Sequence, residues 1–473
     1  MPEFFHAMEV QQNKNKKKST ADKRKRWWFA HRLAHQSQPK RGESRPSETL
    51  PPETPVDLTE VFRNCAESSK AVFESISSMN IAGFPSVIDE ARKLENVDAQ
   101  EPIIRACLQR ILYCMKPSSE PCFPHYEQIR TLRRLIFNKG DTLLIAKTGF
   151  GKSLIFHAFS ILTGKITIQI IPLMKLGDEQ EDDIRRLPGT NPCAITHETR
   201  AIDDKLIERA ANGEFTHILF GPEQATTKEF RKALKRPEFQ ARIGLVAIDE
   251  CHLVKQWKEF RPAFTMLGEL RMILHRDVMW FACSATLSDE AKKLVLNDSG
   301  FRPVGDAQYQ TEIIRTSIDR SDIGIGMFPI PRGKLESYES LYFLLDTSTD
   351  DCGVARPQQI PKTVIFIDGR KKVQKAAAYL QSMLVAKTKD GNGDRYSADP
   401  NSGALSVRSV VDIFTSRVAK YDRNRLYTEF KKPDSATRII VATTSLGMGV
   451  NVPDIERVVL WKFPIGNDPA DHW

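Results

Sequence analysis

Short apolar runs alternate with helical segments from about Phe123 onward, and this alternation limits the fold more than any other feature. The runs are continuous in Val, Ile and Leu, which is typical of parallel strands buried on both faces. They lie at 142–146, 166–171, 217–220, 243–248 and 278–282, and then at 363–367, 409–414, 438–443 and 457–461. A stretch rich in Pro and Gly near 299–335 separates the two series. The sequence therefore predicts an α/β protein of two tandem doubly wound parallel-sheet domains, 123–305 and 306–473, with ligands at the carboxyl ends of the strands.

Two further regions precede the first series. Residues 58–122 have apolar side chains at helical spacing, such as Ile104, Cys107 and Ile111, which predicts a helical extension. Residues 1–57 are polar and basic, which predicts a disordered tail. Residues 1–50 hold 12 Lys and Arg against 5 Asp and Glu, so this tail carries most of the net charge of +9. Its basic clusters suit nuclear import or contact with phosphates, whereas the plainer alternative is a solvated low-complexity segment.

Composition narrows the class of protein. No run of about 18 apolar residues occurs, so we expect no membrane span. The eight cysteines are scattered without a C-x-x-C pair, which predicts no structural zinc and favours a reduced intracellular compartment.

A candidate phosphate-binding loop follows the first predicted strand and opens a predicted helix. Its residues are Ala146, Lys147, Thr148, Gly149, Phe150, Gly151, Lys152 and Ser153. Glycines at such a turn let backbone N–H groups approach phosphates, aided by the positive end of the helix dipole. We expect Lys152 to reach the β- and γ-phosphates of ATP and Ser153 to ligate Mg²⁺. The alternative is an incidental Gly-rich turn that binds no ligand. Ala146 leaves this alternative open, because the strict pattern has glycine at this position.

An acidic pair, Asp249-Glu250, ends the apolar run 243–248 about a hundred residues later. Carboxylates at the end of a buried strand are costly unless a cation neutralises them. The pair therefore predicts that Asp249 holds Mg²⁺ and that Glu250 polarises the attacking water. A strand that merely ends in solvated acids is the alternative, and the phosphate-binding loop upstream makes it less tenable.

These segments resemble the conserved motifs of superfamily 2 helicases. Asp249-Glu250-Cys251-His252 is similar to motif II, and Ser284-Ala285-Thr286 is similar to motif III, which couples ATP hydrolysis to movement. The resemblance implies two RecA-like domains of the P-loop NTPase type and a catalytic set of Lys152, Asp249, Glu250 and His252.

The segment 252–262 resembles the aromatic-rich loop that follows motif II in RecQ-type DNA helicases. In that family the loop senses single-stranded DNA. Trp257 and Phe260 offer faces on which bases can stack, and Arg261 offers a phosphate contact. The alternative is that both rings belong to an ordinary core.

Further RecQ-like segments occur in order along the chain. The resemblance implies that Gln128 recognises adenine, that Pro172 and Gly221 line the DNA groove, and that Gly447 and Gly449 belong to the coupling motif V. After residues 461–464 the family continues to motif VI, whereas this chain ends at Trp473. Motif VI carries an arginine finger, a type of residue worth about 10³–10⁵ in rate. We therefore expect an incomplete second domain.

The function that these residues predict is an ATP- and Mg²⁺-dependent DNA helicase or translocase of the RecQ type. By resemblance it moves 3′ to 5′ and acts in repair and recombination in the nucleus. Two alternatives stay open: a nucleotide-gated nucleic-acid-binding module without efficient hydrolysis, and an RNA helicase of the Asp-Glu-x-His type.

Overall fold

The computed structural model describes residues 74–77, 79–93, 100–115, 122–171, 174–254, 267–345, 359–389, 396–397, 405–443, 446 and 452–462. The predictions for the tail, 1–57, lie outside the described residues.

The strands form two main sheets in which every pairing is parallel, as the apolar runs predict. Seven strands build the first sheet in the order β3-β4-β2-β5-β6-β1-β7, and four build the second in the order β11-β12-β8-β13. A separate two-stranded ladder joins β9 to β10. The strands are β1 Asp141–Ile145, β2 Ile166–Ile170, β3 Pro192–Ile195, β4 His217–Phe220, β5 Ile243–Ile248, β6 Met279–Ser284, β7 Thr311–Arg315, β8 Thr363–Phe366, β9 Tyr396–Ser397, β10 Leu405–Ser406, β11 Val411–Phe414, β12 Ile439–Ala442 and β13 Arg457–Leu460.

Helices connect these strands in the βαβ manner that parallel pairing requires. They are α1 Phe84–Arg92, α2 Gln100–Met115, α3 Tyr126–Ile136, α4 Lys152–Thr163, α5 Met174–Arg185, α6 His197–Arg200, α7 Leu206–Ala211, α8 Pro222–Ala225, α9 Lys228–Leu234, α10 Pro237–Arg242, α11 Gly268–Ile273, α12 Asp289–Asp298, α13 Arg370–Lys389, α14 Val407–Val410 and α15 Lys420–Phe430. In the part of the chain described, none of them has the length and apolar character that crossing a bilayer requires.

The first sheet is buried on both faces. On β1, Leu144 packs into one apolar cluster, whereas Leu143 and Ile145 pack into the cluster on the opposite face. Burial on both faces explains why the interior strands of this sheet, such as β1 and β5, do not alternate between apolar and polar residues in the sequence.

The predicted helical extension contains α1 and α2, and both belong to the core of the first sheet. Helix α1 contacts α4, which opens at the phosphate-binding loop, and α2 contacts α3, which carries Gln128. Phe84 and Ile104 are fully buried in the same cluster as Phe156 of α4. The extension therefore supports the two helices that meet at the candidate site.

Candidate nucleotide-binding site

The loop 146–151 leaves β1 and ends where α4 begins at Lys152. Gly149 has φ +82° and Gly151 has φ +80°, a left-handed conformation that favours glycine. Thr148 and Gly149 are exposed at the tip. The turn thus has the backbone that a phosphate-binding loop needs, in the strand–loop–helix context that the sequence predicts.

The side chain of Lys152 is folded back over this loop. Its Nζ donates to the carbonyl oxygens of Ala146, at 3.1 Å, and Lys147, at 3.4 Å. Lys152 is only 8% exposed, so its ammonium group is held at the loop and is largely shielded from solvent. Ser153, the next residue of α4, is half-buried beside it. A cation and a hydroxyl thus stand together at the start of a helix, where a phosphate chain and its Mg²⁺ bind in P-loop proteins.

Gln128 is buried against the same loop. Its Nε2 donates to the carbonyl oxygens of Phe150, at 3.1 Å, and Gly151, at 2.9 Å, and its Oε1 accepts from the backbone N–H of His125 at 2.7 Å. A Cβ on Gly151 would stand 2.7 Å from Nε2, so glycine makes room for the amide. The His125 ring stacks on Phe150 with centroids 4.5 Å apart. Sequence reasoning missed that stack, which joins residues 25 positions apart.

Asp249 and Glu250 follow β5, at the edge of the sheet where β1 also ends. Asp249 is 5% exposed; its Oδ2 accepts from Nε2 of Gln180 at 2.6 Å, and its Oδ1 accepts from the backbone N–H of Glu250 at 2.9 Å. Burial raises the pKa of Asp249, and the charge of Glu250 raises it further. Glu250 has φ +47°, an unfavourable conformation for a residue with a Cβ.

The donor set fits a magnesium ion. The charge of Lys152 acts on Asp249 and opposes the rise in its pKa, but among the described residues no Lys, Arg or His side chain is within ion-pair distance of this carboxylate. A buried carboxylate without a cationic partner is costly, and a divalent cation removes that cost. Carboxylate and hydroxyl oxygens are the ligands that Mg²⁺ takes together with phosphate oxygens.

His252 joins the acidic pair to the last residue of β6, Ser284. Its Nδ1 lies 2.9 Å from Oγ of Ser284 and 3.3 Å from Oε2 of Glu250. Burial by itself would raise the pKa of Glu250, but the hydrogen bond and charge of His252 lower it below its usual value. Ser284 also donates to the carbonyl oxygen of Thr286 at 2.7 Å, across Ala285. The segments predicted as motifs II and III are thus in direct contact.

Other predicted residues are placed only in part. Gly221 immediately follows β4 and precedes α8, so it lies at the carboxyl end of the first sheet as expected. The remaining predicted nucleic-acid-binding and coupling residues lie outside the described residues: Pro172, Trp257, Phe260, Arg261, Gly447 and Gly449.

In the second domain, an open cavity of about 680 Å³ lies beyond the carboxyl ends of β8 and β11. Four basic residues line it: Arg370, Lys371, Lys372 and Arg417. Of these, Arg370 begins α13, and Arg417 lies between β11 and α15. A cavity lined by basic residues suits an anionic ligand.

Comparison with known proteins agrees with this geometry. The sequence pattern of the DEAD/DEAH box helicase family matches residues 126–294, and that of the helicase conserved C-terminal domain matches residues 350–473. The mouse bifunctional 3'-5' exonuclease/ATP-dependent helicase WRN is 23% identical over 339 residues, which cover 71% of this chain and 21% of the relative. The ATP-dependent DNA helicase RecQ of Pasteurella multocida is 23% identical over 330 residues, 68% of this chain and 43% of the relative. The human ATP-dependent DNA helicase Q4 is 24% identical over 338 residues, 68% of this chain and 24% of the relative.

The chain therefore spans less than half the length of these relatives. Among solved structures, the DUF1998 helicase MrfA bound to DNA matches with a TM-score of 0.53 at 12% identity, over 76% of this chain and 47% of that chain. S. cerevisiae Dbp5 bound to RNA and ADP BeF3 matches with a TM-score of 0.51 at 15% identity, over 81% and 83%. At such identities these structural likenesses show the fold alone.

Proposed function

Because this chain belongs to the RecQ-type helicases of superfamily 2, we propose that it is the ATP-driven motor of a DNA helicase. The observation that carries the proposal is that Lys152 and Asp249 both follow the carboxyl ends of strands of the first sheet, near enough for the charge of Lys152 to offset part of the rise in the pKa of Asp249. The lysine would bind the β- and γ-phosphates of ATP, and the aspartate would hold its magnesium. In this arrangement the residues that would hold one triphosphate follow two strands, β1 and β5, that are not neighbours in the sheet.

Mg²⁺ would be held by Asp249 and Ser153 and would neutralise charge on the phosphates. Glu250 suits the role of general base, because its carboxylate directly follows the proposed magnesium ligand Asp249 and is held by the ring of His252. His252 orients that carboxylate through its ring nitrogen and links it to Ser284.

DNA is the proposed partner, since the relatives at 23–24% identity are named as DNA helicases. Gly221 in the first domain, and Arg370 and Arg417 in the second, supply candidate contacts for the phosphate backbone, which basic side chains and backbone N–H groups bind. We extend the proposal to 3′ to 5′ movement along single-stranded DNA and to a role in repair and recombination.

ATP hydrolysis with and without single-stranded DNA tests the proposal. The wild-type chain should hydrolyse ATP faster when the DNA is added, and the variants Lys152→Ala and Asp249→Asn should lose this activity. Lys165→Ala is a matched control, because Lys165 donates to a backbone carbonyl, that of Ala241, at the opposite end of α4. Hydrolysis that persists in Lys152→Ala, or that DNA leaves unchanged in the wild type, would count against the proposal. An RNA oligonucleotide in place of DNA separates a DNA motor from an RNA motor.

A further inference from the structure

A chain of buried amide side chains leads from β2 to Asp249. Gln169, in β2, donates through Nε2 to Oε1 of Gln180, in α5, and Gln180 donates through Nε2 to Oδ2 of Asp249 at 2.6 Å. Gln169 is fully buried and Gln180 is 8% exposed. The three residues come from three elements and meet only in the folded domain.

The proposed role of Asp249 fixes the direction of this chain, because a carboxylate that ligates Mg²⁺ is deprotonated. A carboxylate only accepts hydrogen bonds, so Gln180 must turn its NH₂ group toward Asp249. Its carbonyl oxygen then faces Gln169, which in turn must present its own NH₂ group. With this orientation Oε1 of Gln169 has no hydrogen-bond partner among the described residues. An unpaired buried acceptor costs free energy. The hydrogen bond from Gln169 to Gln180 is therefore made although it leaves the other end of the Gln169 amide unpaired.

The position of α5 adds a second observation. The helix begins at Met174, directly after Pro172-Leu173, which resemble a DNA-groove motif. Gln180 lies less than two turns into that helix. The amide that contacts Asp249 is therefore borne by the element that follows the proposed DNA contact.

We propose that Gln180 is a positioning residue that sets the Asp249 carboxylate for magnesium, with Gln169 aligning Gln180 from behind. This inference rests on the proposed function, because it assumes that Asp249 receives the Mg²⁺ of a bound nucleotide. Side chains that orient a metal ligand typically change metal affinity 10–100-fold when they are replaced. Gln180→Met preserves length and burial but removes the donor.

The test measures binding of a fluorescent, non-hydrolysable ATP analogue in Mg²⁺ and again in EDTA. In wild type, Mg²⁺ should tighten binding. In Gln180→Met this tightening should fall about 10-fold, while the affinity in EDTA stays within about twofold of wild type. Gln169→Met should show a smaller loss, and the double variant should be no worse than Gln180→Met, because the two side chains act in series.

Gln240→Met is the matched control. Gln240 also donates one hydrogen bond, to the carbonyl oxygen of Ile273 at 2.9 Å, but it has no contact with Asp249. It should keep the full effect of Mg²⁺. A Gln180→Met protein that melts as a folded domain and keeps the wild-type gain from Mg²⁺ would overturn the inference. Failure of the wild type to bind the analogue more tightly in Mg²⁺ would instead contradict the proposed function.

Discussion

Ser284 and His252 lie within hydrogen-bond distance, 2.9 Å between Oγ and Nδ1, although Ser284 ends one strand and His252 follows another. The strands, β6 and β5, are neighbours in the sheet, so their carboxyl ends bring the two segments together. Because His252 also contacts Glu250, a displacement of either segment changes the surroundings of the proposed general base. Through this contact the acidic pair is linked directly to a segment that resembles a coupling motif.

Replacing Ser284 with Ala should separate nucleotide binding from stimulation by DNA. Loss of one hydrogen bond is worth about 1 kcal/mol, or about fivefold in rate, and should appear in the DNA-stimulated rate of ATP hydrolysis. Nucleotide affinity should remain unchanged. Ser288→Ala serves as the control, because Ser288 caps α12 through the N–H of Ala291 and should affect only thermal stability. If DNA stimulates ATP hydrolysis equally in Ser284→Ala and wild type, the contact between Ser284 and His252 does not contribute to this stimulation.

Replacing Glu250 with Gly should relieve strain in the backbone at this position while it lowers the rate of ATP hydrolysis. The φ of +47° at Glu250 costs on the order of 1 kcal/mol for a residue with a Cβ. Glu250→Ala is the matched variant, because it loses the same carboxylate but keeps the strained backbone. Both should lose about 10²-fold or more in hydrolysis, whereas Gly should melt at a higher temperature than Ala. A Gly variant no more stable than the Ala variant would argue against strain at this position.

The interior strands could be predicted from the sequence, but two edge strands could not. The prediction for β4 and β5 matches the observed bounds, because strands buried on both faces have continuous apolar sequences. In the first sheet the strands missed are β3 and β7, which form its two edges, and the two-residue strands β9 and β10 were missed as well. The sequence of β7, with Glu312 and Arg315, reflects its partial exposure, and β3 begins with Pro192, a residue that argues against an interior strand.

The candidate site, too, could be predicted from the sequence only in part. Lys152 and Asp249 could be predicted because each lies in a short segment whose local pattern has a chemical meaning. The contact of Gln180 with Asp249 joins residues 69 positions apart and depends on how α5 packs against the sheet. The signal that could have found it is Gln169, an amide inside an otherwise apolar strand.

Asp141 should be among the residues most important for stability. It is fully buried at the start of β1, where it accepts from the backbone N–H of Trp280 at 2.8 Å and forms ion pairs with Arg271 and Arg302. Removing one partner of a buried ion pair costs about 3–5 kcal/mol, because the other charges stay buried. Asp141→Ala should therefore lower the free energy of unfolding by about that amount in urea titration. Asp183→Ala, which breaks an exposed pair with Arg186, should cost less than about 1 kcal/mol.

Acid should destabilise the first domain through a buried histidine pair. Burial lowers the pKa of His217 from 6.5 to about 4, and burial together with the nearby His217 also lowers that of His157. His217 lies in β4, with Nδ1 2.9 Å from Oγ1 of Thr216 and Nε2 3.3 Å from the carbonyl oxygen of His157. Both rings are therefore neutral in the folded protein at pH values at which the unfolded chain binds protons.

Since the unfolded state takes up more protons between pH 6.5 and 4, stability should fall as the pH decreases through that window. For His217 alone the loss approaches about 3 kcal/mol, from a shift of about 2.5 pKa units. His217→Leu should be less stable at pH 7.5, because it loses two polar contacts, but its melting temperature should depend less steeply on pH between 6.5 and 4.5. If the melting temperatures of the variant and the wild type depend equally on pH, the acid sensitivity belongs to other groups, since His217 is the only titratable group that the substitution removes.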